Sequence, residues 1–199
     1  MNELMDAVNE GFKKHDKFVI ATILEKNGST PREQGTKMLI KQDFSIVGTI
    51  GGGIVEALTI KAAAEVFAEK KLRIEKFSLS NEDAANAGMV WGGNLIILLE
   101  YLNGDDELTI EYVKEFNRLR ENKNNFISVT DISETSDDNN FMHKWICTET
   151  GLFGWENNSV VPLIKEIRTH FDELKYTKAF LKNDSYFIEP FFNNETGQI

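Results

Sequence analysis

The chain is poor in cysteine, proline and histidine. Its 199 residues include one Cys, three Pro and three His. The lone Cys147 excludes an intrachain disulfide framework and any cysteine-based zinc finger, and a single thiol with no other signal favours a reducing compartment. The histidines, His15, His143 and His170, are scattered along the chain. No Ser-His-Asp order and no metal-ligand spacing is visible, so no catalytic residues and no metal centre are expected. Cations are also scarce: 22 Lys and Arg face 32 Asp and Glu, a formal charge of −10. Such a chain is a poor match to nucleic-acid backbones and to anionic membrane surfaces. The longest apolar run, "LIILL" at 95–99, is far too short to span a bilayer. The opening "MNELMDAVNE" lacks the basic region and apolar core of a secretory leader. These absences point to a soluble cytoplasmic protein whose partner is a small ligand or another protein. An anionic ligand would have to be held by local dipoles and a few cations, not by the global field.

What is present is ordinary globular material, with 41% apolar and 27% charged residues. The length suits one domain, taken here as 1–199, or two small ones. Residues 2–15 have the spacing of an amphipathic helix. "KFVIATILEK" (17–26) reads as a buried strand, and "NGSTPREQG" (27–35) as a turn-rich loop. "TKMLIK" and "FSIVGTI" form a hairpin. A helix follows Gly53, with Val55, Leu58, Ala62 and Val66 on one face. "LRIEKFSL" and "NLIILLEYL" are strands, separated by a short helix that Ser80 and Asp83 would cap. After the polar break 103–108 comes a helix at 109–121, and then the pattern starts again: strand 125–132, an exposed loop over 133–140, a hairpin at 141–155, a helix at 159–171, and strands at 175–181 and 186–191. The segments 17–102 and 125–192 read as half-repeats, with Gly48 opposite Gly154 and only the first half keeping a glycine triplet. Two such halves could share one sheet. The expected class is α/β, a mixed and partly antiparallel sheet flanked by helices.

The triplet Gly51, Gly52 and Gly53 lies between a strand and a helix. As structure it is a tight turn where backbones approach closely. As function it opens a helix N-terminus whose N–H groups can hold an anion. It is neither a Walker loop nor a dinucleotide fingerprint. Glu56 in the first helical turn suits the helix dipole, but would repel a phosphate. A carboxylate there pairs instead with a hydrogen-donor edge, such as the amino-pyrimidinone face of a pterin or guanine. Arg32 offers a planar fork suited to phosphate, and Lys37 a second cation. Ser29 and Thr30 are either ligand donors or local turn caps. Trp91, before Gly92 and Gly93, is a core or rim aromatic or a stacking platform.

The stretches "ATILEKNGSTPREQGTKMLI", "VGTIGGGIVEA", "FSLSNEDAANAGMVWGGNLIILLE" and "YFIEPF", in this order and at these separations, resemble the XdhC/CoxI family. These are accessory factors for xanthine dehydrogenase and related molybdenum hydroxylases. The resemblance covers about residues 18–102 and the last strand; residues 103–184 share only the general pattern. It implies a chaperone that carries molybdenum cofactor (molybdopterin) as cargo to a hydroxylase client. The implied binding residues are Gly28, Ser29, Thr30, Pro31 and Arg32 in one loop, Gly51–Gly53 with Glu56, and Gly92 with Gly93. Three departures matter. Ile54 and Trp91 stand where members commonly have Cys, so no thiol role carries over. Members also continue after "FIEP" into a dinucleotide-binding domain that these 199 residues do not contain; NAD or FAD binding of that kind is therefore not expected. A cofactor-free docking module of the same maturation system is the alternative. A third reading is an enzyme acting on a nucleotide or sugar phosphate, with Ser29 or Thr30 as nucleophile. Exposed strand edges allow a homodimer.

Overall fold

The computed structural model describes residues 1–28, 32–79, 93–133, 143–154 and 159–193. The chain divides into two compact units, Met1–Glu107 and Leu108–Ile199. In the first, helix α1 (Asn2–Phe12) precedes strands β1 (Lys17–Gly28), β2 (Lys37–Lys41) and β3 (Ile46–Gly48). Helix α2 (Gly53–Glu69) and strands β4 (Arg73–Leu79) and β5 (Gly93–Asn103) complete it. In the second, α3 (Glu107–Glu121) precedes β6 (Phe126–Asp131), β7 (Lys144–Cys147) and β8 (Leu152–Gly154). Then follow α4 (Val161–Thr169), a 3-10 turn (Glu173–Tyr176), β9 (Phe180–Lys182) and β10 (Tyr186–Phe191).

The two units have one topology. The first sheet runs β3-β2-β1-β5-β4 and the second β8-β7-β6-β10-β9, the same order displaced by five strands. The registers agree residue by residue. Ala21 pairs with Met38 and Leu99, and Val129 pairs with Trp145 and Ile188. Gly48 faces Met38 as Gly154 faces Trp145. On this alignment the buried glutamates Glu100 and Glu189 are equivalent, each one residue past the strand position that pairs with Ala21 or Val129. The α/β class with repeated halves is thus what the chain adopts. The strands divide between two sheets, not one shared sheet, and every described pairing is antiparallel. Each half closes on its own pair of long central strands, which short edge strands flank. The repeat also includes the helix before the first strand. In both units an aromatic of that helix packs on the first strand: Phe12 stacks on Phe18 at 6.1 Å, and Phe116 meets Phe126 edge-on at 5.2 Å.

The first core lies between one face of its sheet and α2. Val19, Ala21 and Ile23 of β1, Met38 and Ile40 of β2, and Leu95, Ile97 and Leu99 of β5 bury with Val55, Ala63 and Val66. The face of α2 differs from the sequence expectation. Val55, Thr59, Ala63 and Val66 are its buried positions, and Leu58 is 37% exposed. The helix is apolar nearly all round, so periodicity alone does not select a face. The second core joins Ile127, Val129, Trp145, Cys147 and Ile188 of the sheet to Val160, Leu163, Ile164 and Ile167 at α4. On the other sheet face, Phe126, Phe191 and Phe116 of α3 form an aromatic cluster with centroids 4.8–5.2 Å apart. Residues 173–176, overlapping the expected strand 175–181, form a 3-10 turn instead, and the strand shortens to Phe180–Lys182. The expected short helix at 80–88 and most of the loop 133–140 lie outside the described residues. Among the described residues, no helix is long and apolar enough to cross a membrane.

Two consequences are measurable. Gly93 has φ +151°, and a Cβ there would lie 2.1 Å from the Asn27 carbonyl oxygen on the neighbouring strand. Gly93→Ala should destabilise the protein by at least about 1–3 kcal/mol from backbone conformation alone, with the clash added, as read from urea unfolding followed by circular dichroism. Cys147 is fully buried, and burial pushes its thiol above the usual range despite the nearby Arg168 guanidinium. A protonated, shielded thiol is a poor nucleophile. Ellman's reagent at neutral pH should therefore leave the native protein unmodified and label it only as it unfolds.

Candidate functional site

The antiparallel order brings the loops singled out by the sequence to one end of the first sheet. The C-terminal ends of β1, β3 and β4 and the N-terminal ends of β2 and β5 share that end. They are not level. Lys37 pairs with Thr22, whereas Gly28, six residues further along β1, pairs with Gly93. The pair β1 and β5 therefore projects past β2 by about 20 Å, at roughly 3.3 Å per residue. The loop returning from β1 is tied along this projection. Gly35 N–H donates to the Ile23 carbonyl at 2.9 Å, Ile23 N–H donates to Thr36 at 3.0 Å, and Lys26 pairs with Glu33 at 2.8 Å. Arg32 is exposed at the start of the described return. Ser29, Thr30, Pro31, Trp91 and Gly92 lie outside the described residues.

The glycine turn is built around one carboxylate. Glu56 Oε1 accepts hydrogen bonds from Gly52 N–H at 2.9 Å, from Ile50 N–H at 3.2 Å and from the Thr49 hydroxyl. Thr49 Oγ1 in turn accepts Gly51 N–H at 3.1 Å. Three consecutive amides, those of residues 50–52, are thus gathered directly or through one hydroxyl onto a single oxygen. This is a capping box lengthened by one residue, in which the glutamate reaches back to the N-cap amide from the fourth helical position, not the third. Gly52 is that N-cap, with φ 78° and ψ −176°, a region essentially confined to glycine. Among the described residues, a Cβ added at Gly52 would meet nothing within 4 Å. The backbone is bare and the space above it open, as a ligand lying on the turn requires.

The remaining predicted residues separate. Lys37 follows the strand alternation onto the face opposite Met38, and so opposite α2, where Nζ donates to the Thr22 hydroxyl at 3.1 Å. Its counterpart in the second unit, Lys144, sits 5.7 Å from the Tyr112 ring centre, and the buried Thr130 hydroxyl opposite has no hydrogen-bond partner among the described residues. Gly28 and Gly93 are cross-strand neighbours and serve the close approach of β1 and β5. Ile54 packs against the first core, so the position that carries Cys in the resembled family holds a core side chain. Thr49 was not among the expected residues. It stands seven positions before Glu56, whereas the recognisable box has a spacing of three, so only the folded turn reveals the pair. Among the described residues, no group of three or more His, Cys, Asp or Glu could hold a metal ion. A cleft of about 430 Å³ in the second unit, lined by Arg118, Asn124, Thr148, Glu149, Phe171 and Asp172 among others, contains none of the expected residues.

Comparison with known proteins covers this turn. Residues 12–78 match the XdhC and CoxI family. Over this segment the chain is similar to that family. The family segment takes in the return loop, Lys37, the glycine turn and Glu56, and ends before Trp91. An uncharacterized Escherichia coli K12 protein, YqeB, is 37% identical over 82 residues, which are 41% of this chain and 15% of that protein. A Bacillus subtilis protein named as a probable xanthine dehydrogenase subunit is 25% identical over 192 residues, covering 94% of this chain and 53% of the relative. A crystal structure of a xanthine dehydrogenase from Bacillus halodurans aligns with a TM-score of 0.68 at 21% identity, over 96% of this chain and 53% of that one. At that identity the likeness is one of fold. The chain spans about half the length of these last two proteins and a smaller part of the first.

Removing the carboxylate strands the amides of Ile50 and Gly52. Glu56→Ala should cost about 1–3 kcal/mol in urea unfolding, the penalty of leaving partly buried donors unpaired. Thr49→Val should cost less, because it strands only Gly51 N–H.

Proposed function

We propose that the chain is an accessory factor that binds molybdenum cofactor as cargo and hands it to a xanthine dehydrogenase-type molybdenum hydroxylase. The observation that carries this reading is the open glycine turn, held by Glu56 inside the segment that matches the XdhC and CoxI family. The names of the Bacillus relatives place those proteins in the xanthine dehydrogenase system, which supports a client of that class. The donor set fits the cargo. The bare backbone at Gly51–Gly53 accepts a flat ring, Glu56 offers an acceptor, and Arg32 offers a fork for the phosphate. Lys37 is turned to the other sheet face and is the weaker candidate for that phosphate. Carrying needs no covalent step. The site must hold the cofactor tightly enough to shield it and loosely enough to release it.

A second reading, a docking module that works without cofactor, is favoured by Ile54, whose packing in the core leaves no thiol at the turn. The two differ in one experiment: anaerobic titration of the purified protein with molybdenum cofactor, followed by fluorescence or calorimetry, alongside Arg32→Ala and Gly52→Ala variants shown to be folded. The carrier predicts saturable binding, weakened at least about tenfold in each variant, as expected for loss of a charge-assisted contact or distortion of the turn. Folded wild type that binds no cofactor, yet captures the hydroxylase equally with and without it, would establish the docking module instead.

A further inference from the structure

A helix N-terminus beside bare glycine backbone ordinarily attracts phosphate. Here that position already holds an anion. All three hydrogen bonds described for Glu56 end on Oε1, and they include the amides of Ile50 and Gly52. Among the described residues none ends on Oε2, and the side chain is only half-buried. An incoming phosphate would meet a like charge and would have to displace it from those amides. A neutral group with an N–H donor meets an acceptor oxygen and an open backbone at Gly52.

We infer that Glu56 makes the glycine turn select a neutral hydrogen-donor ring edge and reject phosphate, with Oε1 building the turn and Oε2 reading the ligand. This rests on the carrier reading and sharpens it: the ring of the cargo docks on the turn, and its phosphate is held elsewhere. One oxygen is available, not two, so the contact is a single acceptor and not a bidentate clamp. The amino-pyrimidinone edge shared by pterins and guanine has the matching chemistry.

Glu56→Gln separates the two oxygens. Glutamine retains a carbonyl oxygen for Thr49, Ile50 and Gly52, but presents an amide donor in place of Oε2 and removes the charge. The probes are unphosphorylated pterin, guanosine and inorganic phosphate, read by calorimetry together with urea midpoints. Wild type should bind pterin, guanosine or both, and phosphate should not compete. In Glu56→Gln, ring binding should fall at least about tenfold, the loss of one hydrogen bond to a charged group, while phosphate binding rises and the urea midpoint holds. A merely structural residue would not move two ligands in opposite directions. Thr49→Val, which loosens the turn but keeps the charge, should still exclude phosphate. Competition by phosphate in wild type, or unchanged affinities in Glu56→Gln, would overturn the inference while leaving the carrier intact if whole cofactor still binds. Wild type that binds neither ring nor cofactor would remove both.

Discussion

The candidate site depends on one oxygen atom. Glu56 Oε1 gathers the amides of Ile50 and Gly52 and the Thr49 hydroxyl, and so fixes where β3 ends and α2 begins. Three adjacent glycines have more backbone freedom to lose than any other tripeptide. Without a partner of this kind they would not hold one shape. The same contact places a carboxylate at the positive end of α2, where it suits the helix dipole. The helix that carries Glu56 is anchored by Val55, one position earlier, in the first core.

The two units share one topology and differ in sequence at the glycine turn. Both units keep the strand order, the glycine that ends the third strand, and the buried glutamate on the fifth. These features belong to the sheets themselves. The second unit has a helix of 9 residues where the first has 17, and a turn at 183–185 where the first has the segment 80–92. It also has Asn157, Asn158 and Ser159 in place of a glycine triplet. The framework is repeated, and the glycine triplet belongs to one copy.

Much of this was legible in the chain itself. The β-branched and aliphatic runs of β1 and β5, the hairpin of β2 and β3, and the return of the pattern after residue 125 all follow from local side-chain chemistry. The glycine triplet and Glu56 were visible as a strand-to-helix junction. The buried face of α2 was not, because Leu58 and Thr59 differ in position by about 100° on a helix that is apolar nearly all round, and packing alone put the threonine inside. Nor was the strand expected at 175–181, where a 3-10 turn takes the first residues.

The amino-acid order by itself determined the class of the fold, the repeat, and which short stretches were unusual enough to form a site, because periodicity and turn chemistry are local. Tertiary structure alone decided three things. It divided the strands into two sheets, since pairing joins residues far apart in sequence. It turned Lys37 away from α2, since strand alternation assigns a face only once the helix has chosen one. It joined Thr49 and Glu56 across seven positions, since a hydrogen bond depends on distance in space and only a folded turn sets that distance.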